Sequence, residues 1–163
     1  MLQGGAMDKT LDFHVQNLKI ASERLSYLQS SDALVIVKHS LCPPKLLHNL
    51  RSSFCTNHSA LSEFDDVLRD CLRQILNVAL EDDQWLQATL PVRSGGLGIR
   101  RAHQIAPSAY LASASGTAAL VSVILPDRLQ TVSDNHIPQA LAAWAALGGA
   151  IPPSDVSATS QRA

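Results

Sequence analysis

One segment of this sequence constrains the fold more than any other, the stretch of residues 61–79. Its apolar side chains recur at intervals of three, four and seven residues, which places them on one face of an α-helix. They are Leu61, Phe64, Leu68, Cys71, Leu72, Ile75 and Val78 or Ala79. The opposite face is charged, with Asp65 and Arg69 spaced as an ion pair one turn apart. With Ser59 as its N-cap, the segment predicts an amphipathic helix that buries one face in a core.

Further helices are predicted on both sides of this segment. Residues 8–29 carry two apolar series with a period of seven, which together predict one broad apolar face. The two series are Leu11, Leu18 and Leu25, and Phe13, Ile20 and Tyr27. Shorter helices are predicted at residues 33–41, 45–55, 82–86, 101–115, 117–125 and 138–147. No strand-like alternation of useful length occurs, so the sequence predicts an all-α fold, a compact bundle-like array of about six to seven helices.

The predicted domain organisation is simple. Residues 8–147 form a single helical domain, and residues 1–7 before it form a flexible N-terminus. Residues 148–163 contain small and polar side chains and two adjacent prolines, a composition typical of a disordered tail. Because only 4% of the residues are aromatic, the core of the domain must consist mainly of aliphatic side chains.

The balance of charge limits the classes of function. Thirteen Lys and Arg residues stand against fourteen Asp and Glu residues, which gives a net charge of -1. Domains that bind nucleic acid strongly usually carry a basic excess, so the composition argues against a strong electrostatic footprint. The cysteines, Cys42, Cys55 and Cys71, are odd in number and contain no CxxC pair, which indicates free buried thiols.

A glycine-rich stretch, LPVRSGGLGIRRA at residues 90–102, leaves two interpretations open. Backbone N–H groups at Gly95, Gly96 and Gly98, ahead of a predicted helix and close to arginines, could hold a phosphate. The stretch matches neither of the established phosphate-binding glycine motifs, and no strand leads into it. The alternative is a turn that brings two helices together, in which glycine supplies a positive φ.

Two patterns resemble metal sites but have a structural explanation that we favour. The pairs His39/Cys42 and Cys55/His58 have the spacing of zinc ligands. Because the residues between them predict mostly helix, the pairs would lie on the order of 15–18 Å apart, too far to share one ion. The acidic run at residues 81–83 follows a helix rather than a strand, so it predicts the cap of the next helix and not a polymerase metal site.

The sequence contains no other pattern that indicates catalysis or a membrane span. No GxSxG motif occurs, and nothing marks a cysteine or serine beside a histidine as a nucleophile. Residues 105–125 form an uncharged run long enough to cross a bilayer. Pro107, Gly116 and several Ser and Thr side chains favour instead helices packed closely within a protein. We therefore expect no catalytic residue, no metal, no cofactor and no membrane association.

Four segments, in order and with matching spacing, resemble the region that follows the catalytic palm in reverse transcriptases of non-LTR (LINE-like) retrotransposons. They are DALVIVKHSLCPPKLLHNLRSS at 32–53, FDDVLRDCLRQIL at 64–76, WLQATLPVRSGGLGIRRA at 85–102 and APSAYLASA at 106–114. The glycine stretch, with LPVR before it and AYLAS after it, is the most specific part. The resemblance covers about residues 8–125 and implies that the chain is a fragment of such a protein.

The resemblance implies a helical thumb, which in this family grips a template–primer duplex by its backbone. It also implies that Arg93, Arg100 and Arg101 are candidates for phosphate contact, with the glycine turn joining two helical layers. The catalytic carboxylates of the family have no counterpart here, because Asp82 and Asp83 lie well past the position of that motif. A chain of this kind would not be an enzyme, although its parent family comprises RNA-directed DNA polymerases.

Two hypotheses of function follow. The first is a non-catalytic, retroelement-derived module that binds RNA or an RNA–DNA duplex weakly, in the cytoplasm or the nucleus. The second is a helical protein-interaction or structural domain without a nucleic-acid role, whose apolar C-terminal third packs against a missing palm domain or a second copy of itself. The two differ in what they require of the surface, namely exposed cations in the first and exposed apolar side chains in the second.

Overall fold

The computed structural model describes residues 4–42, 45–125 and 136–150, and every regular element within these ranges is helical. The all-α prediction is therefore confirmed. The helices are α1 (Gly4–Leu25), α2 (Ser30–Ile36), α3 (Leu47–Ser52), α4 (Ser59–Leu76), α5 (Asp82–Thr89), α6 (Ala102–Ile124) and α7 (His136–Ala146). A π-helical turn, Val37–Leu41, continues α2, and a short 3₁₀ turn, Val92–Ser94, lies between α5 and α6.

The chain divides into two compact units. The first unit combines Met1–Leu47 with Asn57–His103, and the second combines His48–Thr56 with Gln104–Ala163. Each unit is therefore built from two separate stretches of sequence.

The core of the first unit is the contact between α1 and α4. The leucines of α1 at positions 11, 18 and 25 are buried, as is the apolar face of α4 from Leu61 to Ile75. The largest fully buried side chain is Phe64, and the other buried apolar side chains of this unit are aliphatic apart from Cys42, Cys71 and Trp85. Each fully buried Leu or Phe side chain contributes about 1.5–3 kcal/mol through removal of apolar surface from water.

The prediction of one broad apolar face on α1 is wrong. Phe13, Ile20 and Tyr27 are 62%, 47% and 89% exposed, whereas the leucine series is buried. The reason is geometric, because the series that starts at Phe13 begins two residues after the leucine series that starts at Leu11. Two residues rotate an α-helix by about 200°, so the series lie on opposite sides, and only one can face α4.

Several predicted helix boundaries also differ from the structure. Helix α1 begins at Gly4, so residues 4–7 of the predicted flexible N-terminus are helical, while residues 1–3 lie outside the described residues. The N-cap of α4 is His58 and not Ser59, because the His58 side chain accepts the backbone N–H of Ala60. Helix α4 ends at Leu76, where Asn77 adopts a left-handed φ of 51°, and Val78 beyond it is exposed.

The second unit contains α7, most of α3 and all of α6 except its first two residues. Two separate helices were predicted on either side of Gly116, but α6 continues through this glycine without a break. The Phe54 ring stacks on His136 of α7, with centroids 4.9 Å apart, and meets Tyr110 of α6 edge-on at 5.6 Å. The predicted disordered tail lies outside the described residues except for residues 148–150. None of the described helices is long and apolar enough to cross a membrane.

Candidate nucleic-acid interface at the glycine turn

The glycine turn, residues 90–101, reverses the chain after α5. Its backbone N–H groups point inward: those of Leu97 and Ile99 donate to the carbonyl oxygen of Ala88 at 3.1 and 3.3 Å. The N–H of Gly98 donates to Leu90 at 2.9 Å, and the N–H groups of residues 94, 95 and 96 donate to carbonyls of residues 91 and 92. The last carbonyls of a helix lack partners within the helix, and the turn satisfies them here. Of the two interpretations of the glycine stretch, these hydrogen bonds favour the turn, because the N–H groups of Gly95, Gly96 and Gly98 are already donated to backbone carbonyls.

The three glycines of the turn are required for two different reasons. Gly95 and Gly98 adopt φ values of +82° and +73°, a region that other residues enter at an energetic cost. Gly96 has an ordinary φ, but a Cβ atom on it would overlap the carbonyl oxygen of Leu90. The sequence predicts the first reason, whereas the second depends on how closely the chain folds back on α5.

Of the three arginines predicted to contact phosphate, Arg93 and Arg100 are exposed and Arg101 is not. The Nε atom of Arg101 is buried and lies 3.7 Å from Oδ2 of Asp65, a buried carboxylate of α4. The backbone N–H of Arg100 donates to the thiol of Cys42, which fixes the exit of the turn against the π-helical turn. The structure therefore leaves two of the three guanidinium groups open to solvent and pairs the third internally.

Asp65 joins α4 to the start of α6. Its Oδ1 accepts the N–H of Ala102 at 2.6 Å and its Oδ2 accepts the N–H of His103 at 3.2 Å. Burial raises the pKa of Asp65 to about 6, although these two N–H groups and the charges of Arg101 and His103 act in the opposite direction. The predicted ion pair of Asp65 with Arg69 is absent, and Arg69 instead contacts Asp82 at 2.8 Å.

Lys38 is a cation of this site that the sequence analysis missed. Its Nζ and Cε atoms lie 3.4 and 3.3 Å from the position that a Cβ atom on Gly98 would occupy. Lys38 therefore lies against the turn at Gly98, a residue that stands between Arg93 and Arg100 in the sequence.

A signal for Lys38 is present in the distribution of acids along the chain. Residues 33–62 contain no Asp or Glu, and neither do residues 84–126. Lys38 belongs to the first of these acid-free segments and the glycine turn to the second, so the two meet at Gly98. The net charge of -1 conceals this separation, because the acids lie in the stretches before residue 33, between 63 and 83, and after 126.

The other candidate sites have structural explanations. No group of three metal-binding side chains occurs among the residues that the structure describes. His58, a residue with zinc-ligand spacing to Cys55, accepts the N–H of Ala60 through Nδ1 and contacts Asp8 through Nε2 at 2.8 Å. Asp82 begins α5 as predicted, while the side chain of Gln84 accepts the backbone N–H of Glu81 at 2.9 Å as part of a capping box.

All three cysteines are free and buried, as the sequence predicts. Burial raises the pKa of Cys42 to about 12 and that of Cys55 to about 11, and it raises the pKa of Cys71 as well. Because the thiolate is the reactive form, these thiols are poor nucleophiles near neutral pH.

No family model, no curated protein and no solved structure matches this chain. The resemblance to the retrotransposon enzymes therefore rests on the sequence segments alone, and the site is interpreted from its own geometry.

Proposed function

We propose that this chain is a non-catalytic, retroelement-derived module that resembles a reverse transcriptase thumb and binds a nucleic-acid duplex weakly through its phosphates. The observation that carries the proposal is the meeting of the two acid-free segments at the glycine turn. Lys38 lies against Gly98 there, and Arg93 and Arg100 are exposed beside it. Because Asp65, the carboxylate that contacts Arg101, is buried and accepts two backbone N–H groups, Lys38, Arg93 and Arg100 present a local positive surface on a chain with no net basic charge.

The chemistry of the site limits what it can bind. Three lysine or arginine side chains neutralise about three phosphates, which gives a slope of log affinity against log salt of about -2.7 on a duplex. Phosphate contacts carry no sequence information, and the turn offers no helix or ribbon for a groove, so binding is independent of sequence. The carboxylates near the site support a non-catalytic role, because Asp65 binds backbone N–H groups and Asp82 pairs with Arg69.

The test is a fluorescence-anisotropy titration of a labelled RNA–DNA hybrid with the full chain at low and moderate salt. We expect saturable binding that weakens with salt and is lost in the double variant Arg93→Glu with Arg100→Glu. A matched control, Lys9→Glu with Arg24→Glu, makes the same change of charge at exposed positions of α1, outside the glycine turn. Equal loss in both variants would show that only net charge matters, and no binding at low salt would refute the proposal.

A protein-interaction domain is the second candidate function, and a separate observation favours it. The C-terminal half of α6 and much of α7 expose large apolar side chains, including Leu120, Val123 and Leu141. A surface of this kind is typical of a site for another protein, such as the palm domain that the resemblance implies or a second copy of the chain. Loss of nucleic-acid binding in every condition, together with association through this surface, would favour this candidate over the first.

A further inference from the structure

The last turns of α6 are apolar on nearly every side and exposed. Leu120, Val121, Val123 and Ile124 all lie in this segment, and Val123 is 82% exposed. A helix that is apolar all round is normally surrounded by other parts of a protein. Within the described residues of the second unit nothing surrounds this segment, so its exposure requires an explanation.

The two helices that carry the described part of this surface contribute no formal charge to it. Neither α6 nor α7 contains a Lys, Arg, Asp or Glu residue. A partner recognised by charge complementarity would find no matching group here. Two identical uncharged surfaces, in contrast, meet without the repulsion that a copy of a charged surface would meet.

The amount of exposed apolar surface also fits a second copy. Helix α7 adds Ile137 and Leu141 to the exposed apolar side chains, and Leu147 directly after it is exposed as well. Only Ala140 of this helix is buried. Largest apolar patches on monomers are about 300–600 Å², and a standard interface buries about 800 Å² on each partner. A surface of several large aliphatic side chains, on the order of several hundred Å², is therefore at the upper end for a monomer and close to what a dimer needs.

We propose that the exposed apolar surface of α6 and α7 is the interface of a two-fold dimer of this chain. In such a dimer each copy contributes the same surface, and Val123 and Ile124 are removed from water on both sides. The inference rests on the protein-interaction alternative for this surface and is independent of nucleic-acid binding at the glycine turn, which involves residues of the first unit.

Sedimentation velocity of the full chain, from roughly 1 to 100 µM, tests the inference. We expect a concentration-dependent dimer whose Kd rises at least tenfold in Val123→Glu and also in Ile124→Lys. Charges of both signs must weaken the dimer, because each introduces a like pair where two copies meet and buries it without a partner. The matched control is Val35→Glu, a similarly exposed valine on a helix of the first unit, which leaves the Kd unchanged.

Two results would overturn the inference. One is a chain that remains monomeric at about 100 µM. If such a monomer also sediments with neutral lipid vesicles, the surface binds lipid and not a second copy. The other is a dimer that neither substitution weakens while circular dichroism shows native helix content. Anisotropy titration of Val123→Glu with the RNA–DNA hybrid separates the dimer from the proposed nucleic-acid binding. Loss of the dimer with retained hybrid binding would show that the substitution acts on the dimer interface alone.

Discussion

Asp65 of α4 provides the N-terminal cap of α6, because its Oδ1 lies 2.6 Å from the backbone nitrogen of Ala102. A helix usually takes this cap from the residue that precedes it, which here is Arg101, a side chain without an acceptor. The cap instead comes from a residue 37 positions earlier in the chain. The start of α6 and the exit of the glycine turn are consequently fixed to the core of the first unit.

We expect the substitution Asp65→Ala to lower the free energy of unfolding by about 1–3 kcal/mol. The change leaves the N–H groups of Ala102 and His103 without their acceptor and removes the carboxylate that lies 3.7 Å from Nε of Arg101. Urea denaturation followed by circular dichroism measures the loss. The control is Asp66→Ala, which removes an exposed carboxylate from the next position of the same helix and should change stability by less than about 0.5 kcal/mol. Equal values for the two variants would contradict the role of Asp65 as a cap.

The pH dependence of stability should show the raised pKa of Asp65. Its pKa is about 6 in the folded chain and 3.8 for an unperturbed carboxyl, so the folded state binds the proton more tightly. The contribution of this group is therefore largest below about pH 4 and falls as the pH rises through 6, opposite to the usual behaviour of a carboxylate. When the pH is lowered from 7 to 4, the free energy of unfolding of the wild-type chain should rise by about 2 kcal/mol relative to that of Asp65→Asn. The estimate follows because a pKa shift of one unit corresponds to about 1.36 kcal/mol.

Thermal unfolding of both chains at several pH values between 4 and 7 gives this difference. Because the variant retains every other ionisable group, subtraction removes their contributions. A difference that is constant across this range would mean that the carboxyl of Asp65 titrates normally in the folded chain.

Glycine-to-alanine substitutions should have opposite effects at Gly96 and Gly116. At Gly96 the added methyl group overlaps a backbone carbonyl that cannot move without breaking the turn, so we expect a loss of about 2–4 kcal/mol. At Gly116, inside α6, nothing lies within 4 Å, and alanine should stabilise the chain by about 0.5–1 kcal/mol through its higher helix propensity. Chemical denaturation measures both, and a stabilising Gly96→Ala would contradict the tight reversal of the glycine turn.

The two apolar series of α1 should differ sharply in their contribution to stability. Leu18→Ala removes a side chain that is 1% exposed and should cost about 2–5 kcal/mol through lost burial and a residual cavity. Ile20→Ala removes a side chain that is half exposed, and the expected change is below about 1 kcal/mol. Midpoints of urea unfolding provide the comparison. Similar losses in the two variants would mean that both sides of α1 are buried.

The same pair of residues shows what periodicity can and cannot predict. A spacing of seven identifies α1 as a helix and gives two candidate faces, but it does not say which one has a neighbour. On α4 the prediction succeeded, because its polar residues leave a single apolar face and Leu61, Phe64 and Leu68 are buried as expected. The presence of a helix and the identity of its buried face are thus predictable where apolar residues occupy only one side of the helix.

Contacts between distant residues could not be predicted from the sequence. Asp65 was assigned to the charged face of α4, because its role depends on the position of Ala102, which only the fold provides. Lys38 was missed for the same reason, since its proximity to Gly98 is a tertiary contact. The glycine turn itself was identified from its local composition, whereas the inward direction of its amides was left open between two interpretations.

Arg100 and Arg101 are adjacent in sequence, but we expect their substitutions to affect different properties. Arg100→Met removes an exposed cation, so it should leave stability unchanged and lower the salt slope of hybrid binding by about 1. Arg101→Met removes the partner of a buried carboxylate and should lower the free energy of unfolding by about 1–3 kcal/mol, because Asp65 keeps its burial but loses an opposite charge. Its effect on the salt slope should be small, since the guanidinium is already engaged. Anisotropy titrations at several salt concentrations and urea denaturation of both variants test this separation, and a common loss of binding without loss of stability would place both arginines in the interface.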